Sequence, residues 1–321
     1  MGIFPLRVIF PELVQANKDK EVKMTQNVFL RLRGPNIIVS ALFVVTGLLF
    51  TIRQPVSFDW NISFLIIVAM VCFNIYIWVS NDYYDAPYDT EDDWKGTRNV
   101  FCDESNSRDY KIGLGVMWVS LIGGLISGFL AGSIYFSFTV AGMSLAYLYT
   151  SPRFRAKSRA GWDWIFHTVW FLISFLPVYL FIHGFDVIWG LEMRHIQFYA
   201  VFLYIGFASL LGQINHQIPD FEIDRDTNQL TTVVVLGIEQ TKKIRYIIYL
   251  LITSSVIVLC LVTGTYIGLL IILGYSLFLI MKAQNKQPEA IKRAEDVPFV
   301  WIYFFVIDYL FISPLLSLIL S

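Results

Sequence analysis

The chain has 321 residues, 56% of them hydrophobic and only 15% charged, with a mean hydropathy of +0.60. That balance excludes an ordinary water-soluble domain and makes a bilayer the expected solvent. The 24 Lys and Arg nearly cancel the 25 Asp and Glu, so net charge supplies no case for nucleic acid, and none is expected as a partner. Cys72, Cys102 and Cys260 are too few and too scattered for a disulfide framework or a Cys-x-x-Cys pair.

Residues 1–26 read as a cytoplasmic N-terminal segment. Their short apolar start is broken by Pro5 and Pro11 and has no small-residue cleavage site, so no signal peptide is expected. Leu6 stands where N-myristoylation calls for Ser or Thr. Residues 27–321 read as a single transmembrane domain. A spanning helix takes about 20 mostly apolar residues, and candidate spans lie near 35–52, 63–84, 112–130, 134–150, 164–182, 196–216, 244–263, 266–281 and 299–319. The expected fold is therefore all-α, an integral membrane protein of about nine transmembrane helices.

The distribution of Lys and Arg checks this count independently, because a wrong count would scramble their alternation between loops. The N-terminal segment holds Arg7, Lys18, Lys20, Lys23, Arg31 and Arg33, and the loop after span 2 holds Lys95, Arg98, Arg108 and Lys111. Arg153, Arg155, Lys157 and Arg159 follow span 4, Arg225, Lys242, Lys243 and Arg245 follow span 6, and Lys282, Lys286, Lys292 and Arg293 follow span 8. The other side receives only Arg53 and Arg194. The N-terminus and these loops are thus expected in the cytoplasm and the C-terminus outside.

Span 2 runs into Asn81-Asp-Tyr-Tyr-Asp-Ala-Pro-Tyr-Asp89. At about 100° per residue, Asp82, Asp85 and Asp89 fall within about 60° of one another, with Asn81 at the border of that face. Pro87 lacks an N–H and crowds the carbonyl of Tyr83, so a disturbance of the last turn is expected. Three carboxylates on one face at the edge of hydrocarbon repel one another unless a cation is near. Mg²⁺ suits them, since it binds through one or two carboxylates, waters and substrate phosphates. A single Asp in such a place would read as a solvated helix end; the cluster reads as a metal site.

Span 6 continues into Gly212-Gln-Ile-Asn-His-Gln-Ile-Pro-Asp-Phe-Glu-Ile-Asp-Arg-Asp226. The i, i+4 spacing sets Asp220 and Asp224 about 40° apart, with His216 on the same face, whereas Glu222 and Asp226 project elsewhere. His216 is a candidate for orienting substrate or taking a proton, although a lone histidine near a helix end is more often structural. A diphosphate also needs positive charge as its C–O bond breaks. Arg155 and Lys157 in Leu148-Tyr-Thr-Ser-Pro-Arg-Phe-Arg-Ala-Lys157 offer it, as do Lys95 and Arg98; topogenic placement alone would also put them there. Trp78, Tyr83, Tyr84, Tyr147 and Tyr149 lie close to the motifs in sequence, where ring faces could stabilise a carbocation or simply line the membrane interface.

Together these residues resemble the UbiA superfamily of intramembrane prenyltransferases. Asn81-Asp82-x-x-Asp85-x-x-x-Asp89 is similar to that family's first motif, and Asp220-x-x-x-Asp224 to the core of its second. Leu148 to Lys157, including Tyr149, resembles its tyrosine-and-proline loop, and Thr231-Thr-Val-Val-Val-Leu-Gly237 the stretch after the second motif. The resemblance implies nine helices around a central cavity open to lipid, with Mg²⁺ on both Asp motifs holding a prenyl diphosphate. It implies ionisation to an allylic cation, attack by a lipophilic acceptor within the membrane lipid, and loss of a proton. Asp93-Trp-Lys-Gly-Thr-Arg-Asn-Val-Phe-Cys102 departs from the Asn-Pro-x-x-x-x-Arg-Pro stretch of many members, and Asn228 stands at a usual glycine. Ile218-Pro-Asp220 and the paired threonines look like the lycopene elongase branch.

Two other readings are open. A terpene cyclase would use the same motifs without an acceptor. A cation-coupled transporter would use carboxylates as an ion site, yet such sites lie near the midplane, whereas both motifs here end helices on one membrane side.

Overall fold

A computed structural model describes residues 27–49, 59–90, 93–105 and 107–265, together with Leu270. The expected segment 1–26, the span at 299–319 and, apart from Leu270, the span at 266–281 lie outside the described residues. Within them the chain is all-helical: α1 (Val28–Arg31), α2 (Gly34–Leu49), α3 (Trp60–Asp89), α4 (Asp93–Arg98), α5 (Arg108–Ala131), α6 (Ser133–Thr150), α7 (Trp162–His183), α8 (Met193–Asp226), α9 (Thr232–Leu236) and α10 (Ile238–Thr263). Five of these, α3, α5, α7, α8 and α10, are long and apolar enough to cross a membrane. The described residues thus give a multi-span helical membrane protein with five candidate crossings, against nine expected over the whole chain.

Local chemistry sets the helix ends. Asp59 caps α3, its Oδ1 accepting from the N–H of Asn61 at 2.8 Å and of Ile62 at 3.3 Å. Ser107 caps α5 by accepting from Tyr110 N–H at 3.2 Å. The Gly132 interruption between spans 3 and 4 is a tight turn with φ 127°, open in practice only to glycine. Side chains such as Val119, Ile122, Ile126 and Phe129 on α5 are exposed, a placement suited to lipid rather than water.

The helices group into two compact units that divide between Tyr179 and Leu180, late in α7. In the first, α3 packs mainly on α5 and α6. A buried polar knot pins α3 to α7: Asn74 donates to Ser174 Oγ at 3.0 Å and to the Met70 carbonyl at 2.8 Å, and accepts from Trp170 Nε1 at 3.0 Å. In the second unit α8 packs along α10, with α9 against both.

Candidate active site

The first acidic motif lies in the first unit. Despite Pro87, α3 runs unbroken to Asp89, and Thr90 closes it with its N–H on the Ala86 carbonyl at 3.1 Å. The disturbance expected from the proline does not end the helix, so Asp82, Asp85 and Asp89 keep the shared face that the spacing predicts.

Asp82, 2% exposed, is gripped by Arg33, with Nε to Oδ2 at 3.0 Å and Nη2 to Oδ1 at 2.5 Å. Arg33 is a residue that reasoning from sequence counted only as topogenic. Its position follows from the turn between α1 and α2. Leu32 plugs a cluster formed with Val79, Val100, Phe101 and Met117, which fixes its two arginine neighbours. At Gly34 an added Cβ would meet the tip of the exposed Phe29 ring at 2.2 Å, so a larger residue there would have to push that ring aside. The Arg33 carbonyl then starts α2 by accepting from Asn36 and Ile37 at 2.9 and 3.0 Å. The Arg33 guanidinium also lies over the Trp78 ring, 5.6 Å from its centre. Burial disfavours its charge, but Asp82 outweighs burial and the arginine's pKa is raised.

Asp85 is held from the α6–α7 loop. Lys157 Nζ bonds both carboxylate oxygens and also the Asn81 Oδ1 at 2.9 Å. Arg155 Nη2 lies 3.4 Å from Asp85 Oδ1, and its guanidinium covers the Tyr88 ring at 3.9 Å. Burial lowers the Lys157 ammonium from its ordinary pKa, Asp85 pulls it back up, and Arg155 adds repulsion. Asp89 accepts from Asn99 Nδ2 at 2.9 Å. Arg33 and Arg155 both adopt left-handed backbone conformations, with φ of 56° and 41°. Such a conformation costs a non-glycine residue about 1 kcal/mol or more, a strain the loops hold in order to aim these cations at the motif.

The carboxylates therefore meet the cation that their clustering demands, in the form of Arg33, Lys157 and Arg155. Among the described residues no three His, Cys, Asp or Glu side chains converge as a ready-made metal cage. A hard divalent ion that fills its shell with waters and phosphate oxygens does not require one. The donor set of acidic oxygens fits such an ion. Arg155 Nη1 is buried with no hydrogen-bond partner, an unspent charged donor beside Asp85 that fits an anionic oxygen.

The other expected residues are placed less centrally. Lys95 and Arg98 lie half-buried in the last turn of α4. Tyr149 stacks on Phe166 of α7, ring centres 6.5 Å apart. An apolar cleft of about 620 Å³ lies between α3, α5 and α6, lined by residues that include Tyr76, Leu125, Phe136, Met143 and Tyr147.

The second motif lies in the second unit, at the end of α8, which passes through Pro219 as α3 passes through Pro87. Asp220 is half-buried. Asp224 Oδ2 accepts from Thr231 Oγ1 at 3.2 Å, and its carbonyl accepts from Gln229 N–H at 2.8 Å. Thr231 thus holds one oxygen of the second motif's Asp224, a contact whose signal in the sequence was the paired threonines. Glu222 and Asp226, which the helical spacing turned away, pair with Arg225 on the surface. His216 is half-buried one turn before Asp220.

A UbiA prenyltransferase family model matches residues 40–306. The chain belongs to the UbiA prenyltransferase family. Its fold is similar to that of a UbiA homolog from Archaeoglobus fulgidus bound to GPP and Mg²⁺, with a TM-score of 0.59, 16% identity, and coverage of 87% of this chain and 98% of that one. The same homolog bound to DMAPP and Mg²⁺ gives a TM-score of 0.58, 17% identity and coverage of 87% and 97%. An apo UbiA homolog from Aeropyrum pernix K1 gives 0.59, 12% identity and coverage of 86% and 98%. No curated protein matches the sequence.

Proposed function

We propose that the protein transfers a prenyl group from a prenyl diphosphate to a lipophilic acceptor within the membrane, in a Mg²⁺-dependent reaction that releases diphosphate. The observation that carries this reading is the Arg155 Nη1 donor, buried without a partner on the rim of the carboxylate face. Family membership and the prenyl diphosphates and Mg²⁺ bound by the Archaeoglobus fulgidus homolog support it.

Asp82, Asp85 and Asp89, with Asp220 and Asp224 of the second motif, are the residues that would hold the metal. Bound there, Mg²⁺ supplies positive charge against the negative charge of a departing diphosphate. The chain's own cations do the rest of the binding. Lys157, already shared between Asp85 and Asn81, and Arg155 through its free Nη1 take diphosphate oxygens; Lys95 and Arg98 are assigned to the same loop-borne charge. Arg33 neutralises Asp82 until substrate arrives. Tyr149 and His216 are assigned to the substrate-binding wall.

We further infer nine spans around a lipid-accessible cavity, one transmembrane domain over 27–321, a cytoplasmic N-terminus and active-site side, and an outward C-terminus. The lycopene elongase-like assignment rests on Ile218–Pro219–Asp220 and on Thr231 with Thr232, and makes a carotenoid the acceptor to try first. The test is mass spectrometry of lipids from cells expressing the protein or Asp82→Asn. A prenylated lipid present only with the unmodified protein is expected. A cyclised hydrocarbon from prenyl diphosphate alone would replace transfer with cyclisation, and an unchanged product in Asp82→Asn would overturn the site.

A further inference from the structure

Pro87 sits between Asp85 and Asp89, at the point where a proline removes the N–H that would bond the Tyr83 carbonyl and pushes that carbonyl aside. A helix interrupted there would let Asp89 swing away from Asp82 and Asp85. The chain places one buried side chain across the gap. Asn99, 3% exposed, uses its Nδ2 to donate to the Asp82 carbonyl at 2.8 Å, before the proline, and to Asp89 Oδ2 at 2.9 Å, after it. Its Oδ1 accepts from Phe101 N–H at 2.9 Å, capping the short 3-10 turn Val100–Cys102. Both amide hydrogens and the amide oxygen are therefore engaged, and the side chain has one orientation that satisfies them.

Asn99 is itself braced from behind. Arg31, 8% exposed, donates to the Asn99 carbonyl at 3.3 Å. The same guanidinium binds Asp103 at 2.6 Å and Asp109 at 3.0 Å. One arginine thus ties the start of α5 and the 3-10 turn to the segment that carries Arg33, and the amide of Asn99 transmits that order to the proline-containing turn of α3.

We propose that Asn99 is a positioning residue for the metal site: it occupies Asp89 Oδ2, leaves Oδ1 for the ion, and keeps the third carboxylate on the face of the first two. The proposal rests on the reading of Asp89 as a metal ligand. Groups that orient a ligand from outside typically change metal affinity by about 10–100-fold when removed, and the same range is expected for Asn99→Ala.

The experiment measures Mn²⁺ binding by electron paramagnetic resonance on the full-length protein in detergent, with inorganic diphosphate present, alongside the Mg²⁺ dependence of prenyl transfer. Asn99→Ala should weaken Mn²⁺ by about 10–100-fold and shift the Mg²⁺ requirement upward, with kcat at saturating Mg²⁺ largely retained. In an Asp89→Asn background the same substitution should add little, because its effect runs through Asp89. A merely structural role would give the same loss in both backgrounds and would overturn the proposal. Asn99→Ser, which keeps one short donor, should fall between the two and serves if the alanine variant does not fold. If Asp89→Asn weakens Mn²⁺ but a folded Asn99 variant does not, the positioning role fails alone. If Asp85→Asn and Asp89→Asn both bind Mn²⁺ like the unmodified protein, the metal site itself fails.

Discussion

Arg33 and Asp82 form the most enclosed charge pair of the site, with side chains 17% and 3% exposed. Replacing Arg33 by Gln leaves the Asp82 carboxylate buried with neither of its guanidinium contacts. Breaking a buried pair from one side costs about 3–5 kcal/mol, most of it the penalty of an uncompensated charge. For a chain of this size that corresponds to a drop on the order of 10 °C in the unfolding midpoint. Asp82→Asn, which strands the guanidinium instead, should cost a similar amount. The double variant Arg33→Gln with Asp82→Asn carries no buried charge at this position, so it should recover about 2–3 kcal/mol relative to the sum of the singles. Thermal unfolding of the four proteins in one detergent, followed by tryptophan fluorescence, measures the coupling. Additivity within about 0.5 kcal/mol would refute the claim that Arg33 is the counter-charge of the first motif.

Asp85→Asn removes the carboxylate shared by Lys157 and Arg155 and should lower kcat/KM for prenyl transfer by about 100-fold or more, while size-exclusion chromatography shows a folded protein; near-normal activity would count against the site. Burial, with Asp89 nearby, pushes the Cys102 thiol up to about 11. In a Cys72→Ser, Cys260→Ala background its alkylation should therefore be roughly tenfold slower at pH 8 than that of a free thiol, allowing for the greater nucleophilicity of the rarer thiolate, and should rise toward a half-maximum near pH 11. Because the folded thiol keeps a proton that the unfolded one has lost, stability should fall as pH rises from about 9 to 11. A half-maximum near pH 8.5 would mean that the half-buried thiol is not shielded from water. Asn74→Ala strands Trp170 Nε1 between α3 and α7, while Ser174 keeps its bond to the Trp170 carbonyl, and should cost about 1–3 kcal/mol in thermal unfolding, against a negligible change if α7 is not pinned there.

What the sequence disclosed about this site is what depends on short spacings. The apolar lengths located α3, α5, α7, α8 and α10, and the i, i+3 and i+4 offsets picked Asp82, Asp85, Asp89, Asp220 and Asp224 out of their acidic neighbours, because helical geometry is nearly the same wherever a helix forms. Glu222 and Asp226 were set aside on the same ground, and Arg225 accounts for both. Lys157 and Arg155 were legible through their loop, although the spacing alone did not say which aspartate they would meet. Arg33 was not. Its partner is 49 positions away, its backbone is left-handed without being glycine, and its charge is of the kind that membrane topology already places in that segment.

Asn99 was hidden for a related reason. An asparagine in a polar loop is ordinary, and only the approach of that loop to both sides of Pro87 gives it a task. The proline would conventionally mark the end of α3, and the carboxylate beyond it would then be the least secure of the three. A side chain that bonds the backbone before the proline and the carboxylate after it removes that objection, since the helix need not supply the missing order from its own N–H groups. The stretch where this chain departs from the family's customary Asn-Pro-x-x-x-x-Arg-Pro is the stretch that contains Asn99. The departure therefore lies in the support of the carboxylate face of α3 and leaves the carboxylates themselves untouched, so on the proposed reading metal affinity, rather than the identity of the product, is the quantity that should respond when Asn99 is changed.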